Sequence, residues 1–379
     1  MSDNPFLSGN FGPMEEETTA TDLPVTGEIP EELEGRLLRI GPNPVDPQEG
    51  HHWFAGNGFV HGLRLREGRA DWYRSRFVRD DQVCDFKGWP RTPGPRFRED
   101  STGLANTNII GLGGKTYAIV EGGGFPMELD YELETVQGSN FGGGLATPFS
   151  AHPKRDPDSG ELHAAGYFPY ADDLHHVVVS AEGEVTRTEA ISVPGRPMVH
   201  DCAITENYFI VLDFPVIFHV PPGAESSDAS GGLGQYRWTE EYGSRVGLLP
   251  RNGSSDQTVW CEVENCFVFH PLNAYEDEEG RVVLDVIRHP KMFDTNLTGP
   301  GEGPPTLDRW TLDPKDGSAR EERLSARPQE FPRHDERLVG KPYRYGYCGT
   351  PGAGGLFGGL LKHDLHTGEE LHRDDGASK

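Results

Sequence analysis

Basic residues are scarce in this chain: 35 Lys and Arg stand against 61 Asp and Glu, a formal net charge of −26. No dense Lys/Arg stripe occurs, which argues against a nucleic-acid or anionic-membrane binder. The acidic excess by itself implies only solubility. Cysteine is scarce too. Cys84, Cys202, Cys261, Cys266 and Cys348 are odd in number, and their spacing fits neither a disulfide framework nor a zinc ribbon. No run of about 18 apolar residues exists. The best stretch, Tyr208 to Val220, is broken by Asp213 and Pro215 and reads as two core strands around a corner. The start, MSDNPFLSGNFGPMEEETT, has no basic segment leading into an apolar one, so it does not read as a secretory signal. The expectation is a reducing, cytoplasmic setting, no transmembrane segment, and at most peripheral membrane contact.

What is abundant is Gly, 49, and Pro, 31, together about a fifth of the 379 residues against about 12% in average proteins. Both residues punctuate helices, so the chain must be largely turns and strand ends. Residues 1–34 are acidic and weakly patterned and read as a surface arm. From Gly35 to the end, short β-like runs alternate with turn signals. Phe59–Arg66 and Ala70–Val78 flank Glu67-Gly68-Arg69, and Thr107–Leu112 and Lys115–Glu121 flank Gly113-Gly114. Val259–Val263 and Cys266–Tyr275 flank Glu264-Asn265 in the same manner. Each pair predicts a hairpin. So many hairpins with almost no helical periodicity predict an all-β fold. With no linker to divide a sandwich in two, a propeller of divergent blades fits best.

Histidine, at 15, is the residue type with chemistry to assign. Most of these side chains, His163, His176, His289, His334 and His363 among them, read as surface or hydrogen-bonded groups. Three share a setting at strand boundaries with apolar or small neighbours: His152, His200 and His270. Their gaps of 48 and 70 residues are too wide for a local zinc motif. They suit equivalent corners of successive blades. Imidazoles meeting there would make a nitrogen-rich site for iron, zinc or copper. Spacing alone is a weak signal and favours three unrelated boundary histidines over a shared site.

Several segments, in order, resemble the carotenoid cleavage oxygenase family. They are Gly41-Pro42-Asn43-Pro44, the run from His52 to His61 (HWFAGNGFVH), Ala105-Asn106-Thr107-Asn108, Ala151-His152-Pro153-Lys154, the run from His200 to Tyr208 (HDCAITENY), Leu248-Leu249-Pro250-Arg251, and the run from Phe269 to Glu276 (FHPLNAYE). The resemblance covers residues 35–379. It implies a seven-bladed β-propeller with a non-haem Fe(II) on its axis, His152, His200 and His270 being three of four histidine ligands. It implies that Glu121 and Glu330 hold ligand imidazoles from behind, each accepting a ring N–H. The reaction implied adds both atoms of O2 across a C=C bond and releases two carbonyl products.

The chain departs from the family pattern at its end. No motif supplies the fourth histidine, and His363, His366 and His372 fall in or beside a turn. The expectation is a propeller incomplete at its C-terminal end, with cleavage by residues 1–379 alone at background and an inactive scaffold as the rival reading. A three-His zinc hydrolase would need a positioned general base, which no motif nominates. On substrate, the stretch from Phe141 to Tyr167 is similar to the stilbene-cleaving branch. That branch carries a Lys before the strand-end Glu to bind a phenol, and this chain has Val120 there. An apolar Val suits a polyene, so an apocarotenoid is the expected substrate and a stilbene the alternative.

Overall fold

A computed structural model describes residues 4–9, 12–49, 51–98, 101–219, 235–297, 302–352 and 357–374. Of the N-terminal arm, residues 1–3, 10 and 11 lie outside this set, as does Val220 at the end of the apolar stretch. The chain divides into two compact units, one of residues 1–151 with 181–185 and one of residues 152–180 with 186–379.

The first unit holds two four-stranded antiparallel sheets. One orders Thr18–Thr21, Arg69–Phe77, Asn57–Arg66 and Gly35–Asn43, so a strand from the acidic arm forms its edge. The other is a meander of Asn108–Leu112, Lys115–Ile119, Met127–Leu129 and Thr135–Gly138. Val60, Trp72, Ala118, Met127, Leu129 and Leu133 form the apolar layer of this unit. Side chains alternate across a strand, so every second residue points into such a layer. The glycine-rich run His52–His61 is explained by packing. A Cβ at Gly58 would sit 2.1 Å from the carbonyl oxygen of Ala105, a contact no side chain can make. The one α-helix among the described residues, Asp81–Lys87, starts at Asp80, whose side chain accepts from Val83 N–H, and stops at Gly88 in the left-handed region (φ 69°).

The second unit holds four more such sheets in chain order. Sheet three runs Lys154–Arg155, Leu162–Tyr167, Asp173–Val179 and Val185–Ser192. Sheet four is Ala203–Ile204, Tyr208–Asp213, Ser244–Pro250 and Val259–Val263. Sheet five is Phe267–Glu276, Val282–His289, Thr306–Leu312 and Ala319–Ser325. Sheet six is Glu330–Arg333, Tyr345–Pro351, Phe357–Asp364 and Glu369–Asp374. Packing alternates by residue parity. Phe209 and Val211 face the layer containing Ala165, Tyr167 and Leu174, while Ile210 and Leu212 face the layer containing Phe267, Leu284 and Trp310. Each fully buried side chain of this size contributes about 1.5–3 kcal/mol, so the strand Tyr208–Asp213 is held from both faces. The apolar stretch turns its corner as expected, from Tyr208–Asp213 into Val216–Phe218, which pairs with Tyr236–Trp238.

One expected hairpin is corrected. Val259–Val263 pairs only with Ser244–Pro250, and Phe267–Glu276 pairs with Val282–His289, so Glu264-Asn265 joins two different sheets. A short polar turn signals reversal, and its residues do not encode whether the chain returns to its own sheet or starts the next. Six four-stranded sheets are present among the described residues, against the seven blades expected.

Candidate metal centre

The four sheets of the second unit deliver the site through their first strands. His152 lies two residues before Lys154–Arg155, and His200 three before Ala203–Ile204. His270 lies inside Phe267–Glu276, where the register shifts between Val268 and Pro271, and Glu330 opens Glu330–Arg333. Proline supplies the local reason at two of these positions. Pro153 and Pro271 follow His152 and His270 and cannot donate to a ladder, so pairing breaks and the preceding side chain is re-aimed. The loop carrying His200 is clamped to the strand after His152. Asp201, 2% exposed, takes Lys154 Nζ at 2.7 and 2.9 Å and accepts from Cys202 N–H at 2.6 Å.

The three imidazoles converge. Nε2 of His152 lies 2.9 Å from Nε2 of His200, which lies 3.2 Å from Nε2 of His270. One nitrogen from each of the three rings falls within 4.8 Å of the others. The Phe269 ring meets His200 edge-on at 5.3 Å, and the Phe331 ring lies tilted 5.2 Å from that of His270. Burial, then the neighbouring imidazoles of His200 and His270, holds the His152 pKa well below its ordinary value, so this ring is neutral.

Behind His270 stands Glu330. Its Oε2 accepts from His270 Nδ1 at 2.8 Å and from the Phe331 N–H, and its Oε1 lies 2.8 Å from Nε2 of His289. Burial alone would raise the Glu330 pKa. The contacts with His270 and His289 outweigh it and hold the carboxyl well below its usual range. A carboxylate can only accept, so His270 donates from Nδ1 and turns its Nε2 to the cluster. Three nitrogens this close cannot satisfy one another with the protons available, whereas a cation between them would meet every lone pair. A metal–nitrogen bond of about 2.1 Å puts cis donors about 3.0 Å apart at right angles and about 3.4 Å apart in a tetrahedron. The separations of 2.9 and 3.2 Å are of the size expected of neighbouring donors on one metal ion, so the donor set fits a bound cation.

Sequence reasoning named His152, His200, His270 and Glu330, and the structure brings these four together. Glu121 belongs to the first unit, partly buried two residues past Lys115–Ile119. His289 falls among the histidines that read from sequence as surface or hydrogen-bonded groups, and it is buried. Its tie to Glu330 spans 41 residues, and no local signal marks it. The late histidines serve elsewhere: His363 Nε2 meets Gln329 Oε1 at 2.6 Å and His372 Nε2 meets Thr350 Oγ1 at 3.1 Å. His163 and His176, both buried, form a separate pair (Nδ1 to Nε2, 2.9 Å) tied to Arg251 and through it to Asp156.

Comparison with known proteins gives one consistent answer. The family model described as retinal pigment epithelial membrane protein matches residues 11–377. A carotenoid cleavage oxygenase of Mycobacterium tuberculosis is 40% identical over 416 residues, covering 97% of this chain and 83% of that protein. Among solved structures, the Pseudomonas brassicacearum lignostilbene dioxygenase superposes with a TM-score of 0.85 at 27% identity, covering 99% of this chain and 85% of the other. A mutant of the Synechocystis apocarotenoid oxygenase gives a TM-score of 0.80 at 27% identity, over 96% and 82%. The six sheets are thus blades of an all-β propeller fold.

Proposed function

Because the chain belongs to the carotenoid cleavage oxygenase family, we propose that it is a non-haem Fe(II) dioxygenase that cleaves a C=C bond of an apocarotenoid or carotenoid. The observation that carries this reading is the convergence of three imidazole nitrogens with a carboxylate fixing one ring from behind. His152, His200 and His270 would hold the iron. When bound, ferrous iron supplies the redox chemistry by which the two atoms of O2 end on the two carbons of the double bond, giving two carbonyl products.

The chain's own residues set the conditions. Neutral imidazoles add no negative charge, so the centre keeps its full cationic pull on an electron-rich alkene. Glu330 fixes the tautomer and direction of His270, and Glu121 is proposed to do the same for another ring. Phe269 and Phe331 offer apolar surface beside the imidazoles, suited to a polyene. Val120, before Glu121, offers a phenol no cation, which favours the polyene over a stilbene. The likeness to a lignostilbene dioxygenase keeps a stilbene as the second reading, since fold likeness alone does not choose a substrate. A fourth imidazole is proposed to complete the ligand set. Residues 1–379 offer none by motif, so this chain alone is expected to bind iron weakly and to cleave at background.

Anaerobic Fe(II) titration of wild type and His200→Ala, with X-ray absorption of the loaded protein, tests the reading. At saturating Fe(II), about one iron per chain is expected despite the weak affinity, ligated on the protein side by nitrogen alone and lost in His200→Ala. Full iron retention in His200→Ala, or a protein carboxylate on the metal, would overturn it. Incubation with an apocarotenal and with a hydroxystilbene then reads turnover, and iron-dependent aldehydes from either would refute the expectation that three imidazoles do not suffice.

A further inference from the structure

His289 ends the strand Val282–His289, directly across the ladder from Phe267. It is 3% exposed, and its ring meets that of Phe269 edge-on at 5.4 Å. Its Nε2 lies 2.8 Å from Glu330 Oε1. The other Glu330 oxygen takes both His270 Nδ1 and the Phe331 N–H. The two carboxylate oxygens therefore have different duties: one holds His270, the other is held by His289.

We propose that His289 is a positioning residue for the metal centre: its Nε2–H anchors Glu330, which in turn fixes the ring of His270. The inference rests on the metal-binding reading above and extends it one layer outward. The physical reason is rotational. A buried carboxylate gripped at one oxygen by His270 can still swing about its terminal torsion, which is broad for Glu. A donor on the second oxygen removes that freedom and fixes the plane in which Oε2 meets Nδ1–H. The His270 ring is thereby held with Nε2 aimed at the cluster, where a misdirected lone pair would weaken the metal bond. Phe269, packed edge-on against both His289 and His200, keeps the same pocket filled on its apolar side. An alternative role, merely satisfying a buried charge, predicts a stability effect and no specific link to the metal.

The test is anaerobic Co(II) and Fe(II) affinity, by competition with a chromogenic chelator, for four variants and wild type. Loss of a group directly behind a ligand weakens a metal about 10–100-fold, so loss of its anchor is expected to cost about 3–10-fold in His289→Leu. His289→Gln, which keeps an N–H donor in reach, should stay within about 2-fold of wild type on the same scale. In a Glu330→Gln background, adding His289→Leu should change affinity no further, because the route to His270 is already cut. Thermal unfolding of the metal-free forms reports the structural cost separately. If His289→Leu does not fold, His289→Asn, polar but too short to reach Glu330, takes its place. Unchanged affinity in the single variant, or an equal loss with and without Glu330→Gln, would overturn the proposal. A wild-type protein that binds neither metal would instead overturn the metal-binding reading itself.

Discussion

Lowering the pH from 7 to 5 should destabilise the metal-free protein through two histidines that are not part of the metal centre. His163 and His176 are 2% and 0% exposed. Burial, then the Arg251 guanidinium, pushes the His163 pKa down to about 3, and burial, then His163 itself, pushes that of His176 down to about 2. The bonds agree. Arg251 can only donate, so His163 Nε2 accepts, its Nδ1–H donates to His176 Nε2, and neither ring has room for a further proton. In the unfolded chain both titrate near 6.5. The unfolded state therefore binds more protons between that value and the folded ones, and stability falls as pH drops below about 6.5. At pH 5 the cost is about 2 kcal/mol for each ring, against about 0.2 kcal/mol at pH 7. The result is insensitive to the folded values, since both lie at least about two units below pH 5. His176→Phe keeps the stack on Phe209, whose ring lies 4.0 Å from that of His176, and removes one titrating ring. Urea unfolding of wild type and variant at both pH values should show a pH-dependent loss about 2 kcal/mol smaller in His176→Phe. Taking the difference between the two proteins cancels groups such as Asp80, whose pKa burial raises to about 6 and which works in the opposite direction. Equal losses in both proteins would refute the claim that the pair is held neutral.

Other outcomes follow from single contacts. Glu330→Gln should weaken Fe(II) about 10–100-fold in an anaerobic titration, because an amide cannot accept at both ends from His270 and His289. Gly58→Ala should yield little soluble protein on expression, since its Cβ would fall 2.1 Å from a backbone oxygen that cannot retreat without moving Ala105. Tyr343→Phe should cost about 1–3 kcal/mol in urea unfolding. It removes a 2.6 Å hydroxyl donor from Asp285, a fully buried carboxylate that would keep only Arg309 of its named partners.

The all-β architecture was legible because alternation and turn chemistry are local properties. Gly113-Gly114 and Glu67-Gly68-Arg69 each reverse the chain within one sheet, as read. The turn at Glu264-Asn265 looked the same and does the opposite job, because sheet membership is settled by partners far along the chain. The three converging histidines were recognisable by their motifs. Composition could not separate them from His163 and His176, which are also paired and buried. His176 sits four residues past the turn that ends at Asp172, and only the ladder opposite Ala165 shows it turned inward. His289 was beyond reach, since its importance lies in one bond to a residue on the next sheet.

That the site draws on four sheets has a geometric cause. Along one strand, residues on the same face repeat every second position, about 6.5–7 Å apart. Imidazole nitrogens only 2.9 and 3.2 Å apart are hard to gather from such a row. Separate chain segments can bring them together, if something fixes each segment independently. Here the fixing differs from one histidine to the next. His200 is held through its neighbour Asp201 and the buried ion pair to Lys154, whereas His270 is held by an irregular strand and by Glu330. Neither device uses the other's residues. The apolar layers between sheets supply the stability that pays for closing these long loops. The polar devices supply direction. A substitution in the layers should therefore act first on unfolding, and one at Asp201, Lys154 or Glu330 first on metal affinity, because the fold sets where the imidazoles are and these side chains set where they point.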